Sequence, residues 1–99
     1  MAHLYEIELT DTFGGEANYS WVRRGTIAVP EWDKFSDWDG NGRREPKGYQ
    51  AYVMREAKRK AGLTGVRGRT YSVGDGYEFH PHGASVVLFV TYKEAAVYA

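Results

Sequence analysis

The sequence predicts an α+β fold: a ββαββ order, an antiparallel sheet of about four strands, and one helix packed across a face. Three observations carry that prediction. Residues 4–10 alternate strictly, with Tyr5, Ile7 and Leu9 apolar and Glu6, Glu8 and Thr10 polar, the period of a half-buried strand. Residues 49–61 instead place Tyr49, Tyr52, Val53, Ala57 and Ala61 at helical spacing. Finally, 99 residues, 42% of them hydrophobic, suffice for one core, so a single domain over 1–99 is expected.

The first strand is read at Leu4–Thr10 and is followed by a loop over Asp11–Asn18, with Gly14-Gly15 free to adopt positive φ. A second strand runs from Tyr19 to Val29. Gly25 inside it marks a bulge or a close backbone approach, and Pro30 ends it because proline has no N–H for the ladder. Residues 31–47 are the least regular stretch and too long for an ordinary connection, the kind of loop that carries function. The helix spans about Pro46–Ala61, with proline in its first turn and Gly62 as its C′ residue. Arg69–Val73 and Tyr77–His80 follow as extended segments split by the turn Gly74-Asp75-Gly76. The last strand, Ala84–Lys93, is apolar on both faces, which predicts a central place in the sheet. The sheet face away from the helix stays partly open unless Trp21, Trp32, Trp38 or a second protomer covers it, so a homodimer is an expectation.

The net charge is zero, but the charges are segregated. Residues 1–42 hold eight acids and three bases, whereas residues 43–69 hold nine bases and two acids. Such separation points to a charged partner. There is no cysteine, so disulfide and thiolate chemistry are excluded. The start Met1–Glu6 lacks a basic region followed by an apolar run, and the longest apolar run, Val86–Val90, is far too short to span a membrane. A cytoplasmic protein with no membrane partner is expected.

Four local patterns bear on chemistry. Asp37-Trp38-Asp39-Gly40-Asn41-Gly42 opens like an EF-hand calcium loop, but its eighth and twelfth positions are Arg44 and Gly48 where an apolar residue and a glutamate are needed. His80 and His82 stand two apart with Pro81 between them, which favours a turn over a metal pair. No metal and no cofactor are therefore expected. Asp33, Asp37 and Asp39 beside Trp32 and Trp38 describe an acidic, aromatic loop, suited to holding a partner protein and, as a third reading, to a small hydrolase site. Arg55, Lys58 and Arg59 on the helix, with Arg43 and Arg44 before it, describe a basic surface that could follow a phosphate backbone.

The stretch Thr10–Arg24 (TDTFGGEANYSWVRR), with Ala57–Arg67 and Pro81–Phe89, resembles a family of small phage and prophage proteins; the likeness covers most of the chain except residues 31–47. It implies an origin on a mobile element and action inside a bacterial cell. By analogy with small proteins of that origin, the expected function is non-enzymatic: binding a host nucleic-acid-handling complex and inhibiting or modifying it, in the manner of an anti-CRISPR or anti-restriction protein. Residues Trp32, Asp33, Asp37, Trp38 and Asp39 would then touch the partner. The alternative is direct nucleic-acid binding through Arg43, Arg44, Arg55, Lys58 and Arg59.

Overall fold

The alternation of residues 4–10 builds the strand it predicts, and that strand is longer at both ends. In the computed structural model, which describes residues 2–35, 38, 40 and 45–95, β1 covers Ala2–Phe13 and β2 covers Glu16–Pro30. Between them only Gly14 and Gly15 turn, at φ +64° and +85°. Two successive positive φ values are what a right-twisted two-residue hairpin needs. Asp11–Asn18 is thus not a loop. The glycine pair alone reverses the chain, and Thr12 and Phe13 pair with Ala17 and Glu16.

A short 3₁₀ turn follows at Trp32–Lys34, then α1 at Lys47–Ala61, β3 at Gly68–Val73, β4 at Gly76–Pro81 and β5 at Val86–Ala95. The order is ββαβββ, and the antiparallel sheet has five strands in the order β2-β1-β5-β4-β3. The expected count of about four is therefore one short, because the Gly74-Asp75 turn makes two full strands of residues 68–81. β5 lies in the middle, as its two apolar faces require. None of the helices among the described residues is long and apolar enough to cross a membrane.

The core lies between α1 and one sheet face. Tyr5, Ile7 and Leu9 of β1 register with Tyr92, Val90 and Leu88 of β5, and Phe79 of β4 with Leu88. Onto these pack Tyr49, Val53, Met54 and Ala57 of α1. The helix ends in a Schellman arrangement: Gly62 sits at φ +79°, its N–H bonds the Arg59 carbonyl, and the Leu63 N–H bonds that of Lys58. Gly25 pairs in regular register with Ile7 and makes no bulge. It is a point of close approach instead, since a Cβ there would lie 3.3 Å from Lys60 Cε.

The face away from the helix carries charges that pair across strands. Arg24 Nε lies 3.0 Å from Glu8 Oε2 on the opposed residue, and Lys93 Nζ lies 3.6 Å from Glu6 Oε2. Neither pair joins the acidic residues 1–42 to the basic residues 43–69, so these contacts leave the segregation of charge along the chain in place.

Candidate functional site

Sheet register places one irregularity where the sequence is richest in exposed rings. Thr10 opposes Val22, but Thr12 opposes Ala17, so residues 18–21 of β2 bulge out opposite Asp11. Tyr19 within this bulge sits at φ +57°, the only non-glycine residue with positive φ among the described residues. A bulky residue in that region is strained and persists only where its surroundings hold it.

Asp11 is what holds it. Its Oδ1 accepts the Ser20 N–H at 2.9 Å, and its Oδ2 accepts the Ser20 hydroxyl at 2.6 Å and Asn18 Nδ2 at 3.0 Å. Those bonds, the Ser20 hydroxyl first, keep its carboxyl well below the usual carboxylate range. Behind it, the buried Thr10 donates its hydroxyl to the Trp21 carbonyl at 2.9 Å. One carboxylate and one hydroxyl thus fix four bulged residues.

The bulge and the adjoining tip hold three of the large exposed hydrophobic residues: Phe13 at 80% exposure, Tyr19 at 51% and Trp21 at 41%. The Arg23 guanidinium lies 5.8 Å from the Trp21 ring centre. β5 begins opposite Asp11, so Thr12–Ala17 have only each other as strand partners and form an arm past the end of β5. Rigid aromatic side chains with an adjacent arginine are the residue types that dominate binding energy at protein interfaces.

The loop expected to touch a partner is divided. Trp32 and Phe35 turn inward, with ring centres 5.9 and 5.5 Å from that of Tyr49 in edge-to-face contacts. Trp38 is exposed. Asp33 belongs to the 3₁₀ turn, while Asp37, Asp39 and most of the calcium-like segment 37–42 lie outside the described residues. Of the bases expected to face nucleic acid, Arg43 and Arg44 also lie outside them. The three on α1 are all engaged. Lys58 is half-buried, its Nζ donating to the Val66 carbonyl at 3.2 Å and lying 4.1 Å from the Phe79 ring centre. Arg59 pairs with Glu56, and Arg55 lies 5.1 Å from the Tyr52 ring centre. His80 contacts Glu78 at 3.7 Å and stacks edge-on with Tyr71. No group of three or more potential metal-binding side chains occurs among the described residues.

The arm is a site that sequence reasoning missed. Its signal was present: an aspartate followed at seven and nine residues by Asn18 and Ser20, with three rings nearby. Only the hairpin register turns that spacing into contact. No protein-family model, curated protein or solved structure matches this chain.

Proposed function

We propose that this chain is a small, non-catalytic binding protein of phage type that docks on a host nucleic-acid-handling complex and inhibits or modifies it, with the β1–β2 arm as its principal contact. The observation that carries this reading is the strained bulge, locked by Asp11, that displays Tyr19 and Trp21 between the exposed Phe13 of the hairpin tip and Arg23. Strain retained at an exposed place, with large apolar rings held out to water, is a cost that a partner's apolar pockets offset. The partner surface that fits is apolar with a carboxylate near the position of Arg23. The resemblance to small phage proteins supports the host-complex part of the proposal, and one of its three motifs, Thr10–Arg24, includes the arm.

Direct nucleic-acid binding is weaker as a reading, because Lys58 and Arg59 are already engaged with Val66, Phe79 and Glu56. Affinity capture from nuclease-treated bacterial lysate separates the two. The wild-type chain is expected to retain a protein partner that Trp21→Ala and Phe13→Ser both lose and that Arg55→Glu keeps. Capture that needs nucleic acid, or that survives both arm substitutions, overturns the assignment of the arm.

A further inference from the structure

At the end of the sheet away from the arm, five aromatic rings from five elements line one cavity of about 420 Å³. Tyr5 comes from β1, Trp32 from the 3₁₀ turn, Tyr49 from α1, Tyr77 from β4 and Tyr92 from β5. Neighbouring rings pack edge to face, at 70° between Trp32 and Tyr49 and 73° between Tyr5 and Tyr92. The Tyr5 and Tyr49 hydroxyls share a buried 2.9 Å hydrogen bond that ties the helix to β1 and stiffens the lining.

The rim of the cavity is acidic. Glu45 and Asp75 line it, and the one basic side chain on the lining among the described residues is His3, whose Nδ1 lies 3.4 Å from the Tyr92 hydroxyl. Partial burial raises the Glu45 carboxyl above its ordinary value, so this carboxylate lacks part of its solvation. Its charge reaches the phenols of Tyr5, Tyr49 and Tyr77, all of which are pushed upward mainly by burial, Tyr77 to about 12. The rings therefore stay neutral phenols at any physiological pH, with their electron-rich faces intact.

Neutral aromatic walls with two carboxylates at the mouth suit one kind of guest. A small hard cation needs six or more oxygen ligands, which rings do not supply. A large, weakly hydrated organic cation is stabilised by ring faces and by nearby negative charge. We propose that this cavity binds an alkylammonium group, quaternary or methylated, with the partly exposed rings of Trp32 and Tyr92 as its walls, the buried Tyr49 and Tyr77 as the aromatic floor beneath them, and Glu45 and Asp75 as its counter-charges. The site is separate from the arm and does not depend on the arm's role.

Two sources present this chemistry: a free small molecule, or a methylated lysine side chain on another protein. The test is titration of the intact chain with choline, with N-acetyl-trimethyllysine methylamide, and with 3,3-dimethylbutan-1-ol, the neutral isostere of choline, followed by tryptophan fluorescence and calorimetry. Saturable binding of a cation is expected, with the neutral isostere roughly tenfold weaker. Glu45→Gln and Asp75→Asn are each expected to weaken the cation about fivefold without altering the thermal transition, because neither side chain belongs to the core. Tighter binding of the lysine derivative assigns the source to a protein side chain, and tighter binding of choline to a free molecule. Equal affinity for the isostere, unchanged affinity in the Glu45→Gln/Asp75→Asn double variant, or no saturable binding of either cation overturns the proposal.

Discussion

Asp11 shows how much of an interaction surface one side chain can organise. Its carboxylate satisfies three donors from residues 18 and 20, and the positive φ of Tyr19 depends on them. Replacing it with asparagine puts an amide donor where those donors converge. Asp11→Asn is therefore expected to release the bulge while leaving the core intact, seen as loss of dispersion in the Asn18–Trp21 amide resonances with the remaining spectrum unchanged. The same logic fixes the sign of the pH effect. The folded carboxyl titrates below its unfolded value, so the order it confers is complete above about pH 4 and is lost as pH falls further through the depressed folded value. The Ser20 amide shift should report that transition. None of this could be read from residues 10–24 as a string, because Asp11 meets Ser20 only after the glycine pair has folded the hairpin.

Elements were more legible than sites. The apolar stripe of α1, its Gly62 terminus and the central place of β5 follow from periodicity and backbone chemistry alone. The extension of β1 and β2 through Asp11–Asn18 did not, since polar residues at the tip of a hairpin look like a loop until their ladder partners are known. Glycine carries a second lesson at this scale. Gly76 opens β4 opposite Thr91, and a Cβ there would lie 1.8 Å from the Val90 carbonyl oxygen. Gly76→Ala is thus expected to part β4 from β5 and cost about 2 kcal/mol or more, measured as a lower denaturant midpoint. By contrast, Gly14→Ala meets no atom within 4 Å and is expected to cost only about 1 kcal/mol, for its left-handed backbone.

The molecule as a whole places its two candidate sites at opposite ends of β1. Tyr5 lines the aromatic cavity and Asp11 anchors the arm; the six steps from Tyr5 to Asp11 span roughly 20 Å along a strand. Sites that far apart without shared partners behave independently. Trp21→Ala is accordingly expected to leave cation affinity within about twofold, and Glu45→Gln to leave partner capture unchanged, in the two assays described above. The cavity was invisible in the sequence for a simple reason: its five rings are scattered from residue 5 to residue 92 and no two share an element. The charge segregation, conversely, was plain in the sequence, and the cross-strand pairs leave it in place: Glu8 and Arg24 both belong to the acidic stretch, and Glu6 meets Lys93 of the last strand. Exposed pairs of this kind contribute little to stability.

The position of β1 also has a mechanical consequence. β1 is hydrogen-bonded along most of its length to β2 on one side and to β5 on the other, both antiparallel. Ladder bonds run perpendicular to the strands. β2 is an edge strand paired only with β1, so a tug on the hairpin tip along the strand axis moves both strands together and falls on the β1–β5 row, whose bonds are loaded in shear instead of unzipping one by one.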